Sequence, residues 1–82
     1  MSSTLDRVRK VVSQVLKVDE SKVKAESDFV KDLGGQSIQS YELVAAFEEE
    51  FNIEMDEDEA LSVTAVGPAA DYIFKVVQAQ HG

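Results

Sequence analysis

The residue in this chain best placed to do chemistry is Ser37. It follows Gly34-Gly35-Gln36 directly and opens an apolar-periodic run that continues to Phe51. This reads as a loop that delivers one hydroxyl to the first turn of a helix. Catalysis by that hydroxyl would need a base and an oxyanion hole. The G-x-S-x-G elbow is absent, because Gly35-Gln36-Ser37-Ile38-Gln39 lacks its second glycine and no strand precedes it. The only histidine, His81, sits next to the end of the sequence, where a solvated side chain is expected. There is no cysteine, no cluster spaced to hold a metal, and no glycine-rich nucleotide loop. Asp56 and Asp58 carry the first two spacings of a calcium loop. Leu61 and Gly67 stand where its glycine and its final glutamate belong, so that site is rejected. Ser37 therefore reads as the acceptor of a group added by another protein, and the chain is not expected to be an enzyme.

A serine at a helix start also reads as a plain N-cap. Three features favour an attachment point. Glycines before it let an enzyme approach. The helix N-terminus would favour a phosphate ester. An acidic flank would attract basic partners. Ser40, one turn on, lacks the preceding loop and ranks below it.

The elements that must position Ser37 follow from periodicity. Ser2-Ser3-Thr4 with Asp6 opens a first helix over about residues 4–17, with Leu5, Val8, Val12, Val15 and Leu16 on its apolar face. Residues 18–36 form a long connection, ordered rather than free, with Val18, Val23, Phe29, Val30 and Leu33 as anchors. Ser37 to Phe51 is the clearest helix, with Ile38, Tyr41, Val44, Phe47 and Phe51 on one side and Leu43, Ala45 and Ala46 widening the apolar stripe. Asn52 closes it, and Ile53 and Met55 are expected to be buried. A short helix over 57–62 carries its acids at the favourable end. A last helix begins at Thr64–Pro68 and fades near Gln78, leaving Gln80-His81-Gly82 frayed.

With 82 residues the chain is expected to be a single domain, residues 1–82, all-α. Eight basic and sixteen acidic residues give a net charge of −8, unevenly spread. Gln36 to Ser62 holds nine acids and no base. Such a field repels nucleic acid and favours partners with basic patches. Glu48, Glu49 and Glu50 oppose the dipole at the end of their helix, which suggests a purpose other than helix stability. No run is apolar enough to span a membrane, and no secretory leader is expected. A soluble cytoplasmic monomer is expected.

The stretch Asp28-Phe29-Val30-Lys31-Asp32-Leu33-Gly34-Gly35-Gln36-Ser37-Ile38, followed by Glu42-Leu43-Val44-Ala45-Ala46-Phe47-Glu48-Glu49-Glu50-Phe51, strongly resembles the acyl carrier protein family. Thr64-Ala65-Val66 with Ala69-Ala70-Asp71-Tyr72-Ile73 is similar to the family's final helix. The resemblance implies a four-helix bundle with a long first loop and a short third helix. It implies that Ser37 carries 4′-phosphopantetheine, added from coenzyme A by a phosphopantetheinyl transferase, and that acyl groups ride on its thiol as thioesters. It implies a docking surface for basic acyl-loading and acyl-processing enzymes along the second helix, with Gln36, Ile38, Glu42, Glu48, Glu49 and Glu50. It also implies that cargo shelters between helices, near Ala45 and Ala46. The pathway implied is fatty-acid or specialised lipid or polyketide synthesis. The chain departs from the common Asp-Ser-Leu by Gln36-Ser37-Ile38, and Gln39 stands where an acid is common. The Leu-Gly-Gly-x-Ser-Ile form resembles peptidyl carrier domains. An aminoacyl or peptidyl carrier, or an acidic helical adaptor without modification, are the alternatives.

Overall fold

Ser3 ends the N-terminal segment as a helix cap: its hydroxyl accepts from the Asp6 N–H at 3.1 Å. The computed structural model describes residues 3–82, so the Ser2 part of the expected cap lies outside the described residues. Four helices follow: α1 (Thr4–Leu16), α2 (Ser37–Phe51), α3 (Glu57–Ser62) and α4 (Val66–His81). The expected all-α bundle with a long first connection and a short third helix is what the chain forms. α1 packs against both α2 and α4, and α3 leans on α2.

α1 is rich in valine, a modest helix former, so packing has to stabilise it. Val8 and Val12 are fully buried, and Val11, which the stripe reading leaves out, is buried beside them. They meet Leu43, Phe47 and Phe51 of α2 and Ala69, Ala70 and Ile73 of α4. Each large apolar side chain removed from water in this way contributes about 1.5–3 kcal/mol. α1 and α2 end alike. Lys17 (φ 56°) and Asn52 (φ 54°) take the left-handed conformation, and the N–H groups of Val18 and Ile53 fold back onto the carbonyls of Ser13 and Glu48.

The apolar stripe expected on α2 is narrower than its apolar residues suggest. Ile38 and Tyr41 belong to the expected apolar side, but they are 66% and 55% exposed. The buried line runs through Leu43, Phe47 and Phe51 at four-residue spacing. Ile38 and Tyr41 lie five and two positions before Leu43, which at about 100° per residue turns both well away from that line. Val30, expected as an anchor, is likewise exposed. A further correction concerns α4, which runs to His81 instead of fading near Gln78. Gln80 Nε2 donates to the Glu54 carbonyl at 2.6 Å and its Oε1 accepts from the Glu54 N–H at 3.0 Å. His81 Nε2 lies 2.6 Å from the Asn52 carbonyl oxygen, so it donates there.

The long connection is built rather than slack. Arg9 of α1 donates to the carbonyls of Val23 and Glu20, at 2.6 and 3.0 Å, and holds a 3₁₀ turn at Glu20–Lys22. Val23, Phe29 and Leu33 insert into the core. Farther along, the connection pairs with the segment between α3 and α4. Phe29 N–H donates to Thr64 O, Val66 N–H to Ser27 O and Gly67 N–H to Ala25 O, at 2.9, 3.0 and 2.7 Å.

Candidate functional site

The approach to Ser37 starts at Asp28. Its Oδ1 accepts from the N–H groups of Val30 and Lys31, both at 2.9 Å, and Asp32 Oδ2 accepts from the Asp28 N–H at 2.7 Å. The two N–H donors, Lys31 first, hold the Asp28 carboxyl below the usual aspartate range. Asp19 is lowered in the same way, chiefly by the Ser21 N–H. From Asp28 the chain winds through a tight turn that ends on the two glycines.

Those glycines do something other than confer freedom. Gly34 has φ +71°, a conformation that side-chain-bearing residues rarely adopt. Gly35 is buried, and its N–H donates to Phe29 O at 2.9 Å. A Cβ there would lie 2.7 Å from that carbonyl oxygen and 3.2 Å from Leu16 Cδ2. The turn is therefore closed tightly against α1 and Phe29, and the expectation of flexible glycines is replaced by a locked approach.

The cap of α2 is Gln36, in extended conformation, and Ser37 is the first helical residue. The plain N-cap reading of Ser37 is thus set aside. Gln39 folds back, its Oε1 accepting from the Gln36 N–H at 2.8 Å. No acid stands in this first turn. The Ser37 side chain is exposed, and its hydroxyl has no hydrogen-bond partner among the described residues. Ser40 is half-buried and faces a cavity instead.

The other expected site residues fall into two groups. Gln36, Ile38, Glu42 and Glu49 are exposed. Glu48 and Glu50 are engaged within the molecule. Glu48 Oε2 accepts from the Met55 N–H at 2.9 Å, fixing the turn after α2. Glu50 Oε2 accepts from Arg7 Nε at 3.0 Å, Arg7 Nη2 donates to the Glu50 carbonyl at 2.7 Å, and the guanidinium lies 4.2 Å from the centre of the Phe51 ring. Two of the three acids that oppose the helix dipole thus have local structural partners. Glu49 alone of the three is exposed with no such partner among the described residues.

A cavity of about 30 Å³ lies between α2, α3, α4 and Phe29. Leu43, Val44, Phe47, Met55, Leu61 and Ile73 form much of its wall, and Ser40 and Tyr72 also line it. Ala45 and Ala46 are not among its lining; Ala45 is exposed and Ala46 faces a polar groove against α1. The cavity is thus lined from α2 by Ser40, Leu43, Val44 and Phe47 rather than by the two alanines. Burial raises the Tyr72 phenol above its ordinary value, and the charges of Glu59 and Asp56 push the same way. The bonds of Glu48, Gln80 and His81 to distant backbone were missed from the sequence. None of them has a local pattern, since the donor and acceptor lie 7, 26 and 29 positions apart.

Among the described residues no helix is long and apolar enough to cross a membrane, and no group of side chains could hold a metal ion. Residues 6–73 match the family model described as phosphopantetheine attachment site. The match spans all of α2 and α3, most of α1 and the first half of α4. Members carry covalently attached 4′-phosphopantetheine, act as carriers and not as catalysts, and meet a phosphopantetheinyl transferase and partner enzymes. An exposed hydroxyl at the end of a locked turn, in an all-α bundle matched over most of its length, leads to one conclusion: the chain belongs to the phosphopantetheine attachment site family of carrier domains.

Proposed function

We propose that Ser37 is the attachment residue and that the chain carries acyl intermediates as thioesters for fatty-acid or specialised lipid or polyketide synthesis. The observation that carries this reading is the exposed, unpartnered Ser37 hydroxyl at the first position of α2. The surroundings fit the arm. The Ser37 and Ile38 N–H groups have no partner among the described residues, and no acid of the first turn repels a phosphodiester. Ser37 Oγ forms the phosphoester bond to the phosphopantetheine phosphorus of coenzyme A and gives up its proton, while the pyrophosphate bond of coenzyme A breaks and adenosine 3′,5′-bisphosphate leaves. The arm, once bound, supplies the thiol that this cysteine-free chain lacks. Gly34 and Gly35 hold Ser37 clear of the core. Gln36, Ile38, Glu42 and Glu49 offer a partner enzyme a neutral, apolar and acidic surface in turn. In this reading residues 1–82 act as one monomeric, cytoplasmic carrier unit.

One observation favours a second cargo class. Gln36 and Gln39 pair with each other and leave the rim of Ser37 uncharged, which suits an aminoacyl or peptidyl carrier of the Gly-Gly-Gln-Ser-Ile kind.

Intact-mass measurement after incubation with coenzyme A and a phosphopantetheinyl transferase tests the site. One adduct is expected on the native chain and on Ser40→Ala, and none on Ser37→Ala. An adduct that persists in Ser37→Ala overturns the assignment. Loading the product with an acyl-transferring or an adenylating enzyme then decides the cargo class.

A further inference from the structure

The end of α4 carries side-chain bonds that nothing in the carrier chemistry requires. Gln80 makes two hydrogen bonds to the backbone of Glu54, and His81 makes one to the carbonyl of Asn52. One residue farther along, the Met55 N–H is held by Glu48. Residues 52–55 are thus gripped from α4 on one side and from α2 on the other.

Beyond this gripped segment lies α3, which has little anchorage of its own. α3 has six residues and none of them is buried. Yet Ala60 and Leu61 of α3, with Met55 and Val63 at its flanks, form one wall of the cavity between α2 and α4. The far flank is fastened too, by the backbone pairing of Thr64, Val66 and Gly67 with the long connection. A weakly held wall therefore hangs between two firm attachments. An element with few buried contacts opens at lower free energy than the core around it. How readily it opens depends on its attachments.

We propose that Gln80 and His81 form a clasp that sets how readily α3 swings off the cavity. The clasp acts on the entry to α3 through backbone atoms of Asn52 and Glu54, so it places no requirement on the sequence of α3 itself. Both clasp side chains are exposed and contribute nothing to the core. Removing them leaves the bundle folded while loosening one wall. This inference does not depend on which serine is modified or on what cargo is carried.

Native-state amide hydrogen exchange on the unmodified full chain tests it, comparing Gln80→Ala, His81→Ala and the double variant with the native protein. Gln78→Ala, on the same helix and making no such side-chain bond, is the control. In the double variant, amides of Ile53, Met55, Ala60 and Val63 should exchange roughly tenfold faster. Those of Val12, Phe47 and Ile73 should keep their native rates, and so should every amide of the control. Unchanged exchange at Ala60 and Val63 overturns the proposal. So does an equal acceleration at Val12 and Ile73, which would mean that the bonds support the whole bundle and not α3 in particular.

Discussion

Replacing Gly35 by alanine adds a single methyl group at the point where the approach to Ser37 is most tightly closed. The new Cβ would stand 2.7 Å from the Phe29 carbonyl oxygen, closer than carbon and oxygen can sit, and 3.2 Å from Leu16 Cδ2. Leucine can yield a few tenths of an ångström. The carbonyl cannot, because it is backbone and also accepts the Gly35 N–H. The turn must therefore shift, breaking that bond or moving Phe29 in the core. Overpacking of this kind costs about 1–3 kcal/mol. At the middle of that range, a domain of this size loses roughly 8–16 °C of melting temperature. Gly34→Ala provides the contrast. Nothing lies within 4 Å of its Cβ, and its cost, about 1–2 kcal/mol, comes only from φ +71°. Gly34→Asn should recover much of that loss, since asparagine tolerates the left-handed region, whereas Gly35→Asn should be worse than Gly35→Ala. Thermal unfolding followed by circular dichroism reads all four variants. A Gly35→Ala protein melting within a degree of the native one would refute the locked turn.

Three further outcomes are expected. Modification by the transferase should raise the melting temperature by about 2–6 °C at low salt, because a phosphodiester at the bare first turn of α2 adds about 0.3–1 kcal/mol; calorimetry of the two forms measures it. Glu49→Lys should slow modification, more so at low than at high ionic strength, and leave the melting temperature unchanged. Glu48→Lys should instead cost about 1 kcal/mol through the Met55 N–H it abandons, so these two neighbouring acids separate in parallel rate and melting measurements. The third concerns pH. The Asp28 and Asp19 carboxyls are lowered in the folded chain, so each contributes stability that is present above the ordinary aspartate value near 3.8 and is lost as pH falls through the lowered value. Melting temperature should drop below about pH 4, and Asp28→Asn should flatten that drop.

The helix plan was legible because hydrophobic spacing and capping residues are local signals. α2 and α3 begin and end where spacing and caps place them, and the left-handed residue after α2 is the expected Asn52. Spacing could not tell an inward apolar side chain from an outward one at the start of α2. Ile38 and Tyr41 fit a broad stripe, but only the packing of Leu43 and Phe47 against α1 and α4 decides where the stripe is centred. The glycines were legible as special but not for the right reason: freedom of φ is visible in the residue type, and closeness to Phe29 and Leu16 is not. Charge is illegible where its partner is remote. Glu50 makes sense once Arg7 is beside it, and those two stand 43 positions apart. Ser37 itself stood out in the sequence through its glycines and the helix that it opens. That Gln36, and not Ser37, caps the helix depended on the backward reach of Gln39.

The pairing of residues 25–29 with residues 64–67 has a consequence for the order of events in the cell. The turn that presents Ser37 hangs from Asp28 and Phe29, and Phe29 is fastened to Thr64. A growing chain that has released Ser37 from the ribosome, but not yet Thr64, Val66 and Gly67, has the serine without its setting. An enzyme that reads the shape around Ser37, beyond its immediate sequence, meets that shape only in a finished and folded molecule. The setting of Ser37 is thus complete only once the two loops have been stitched together.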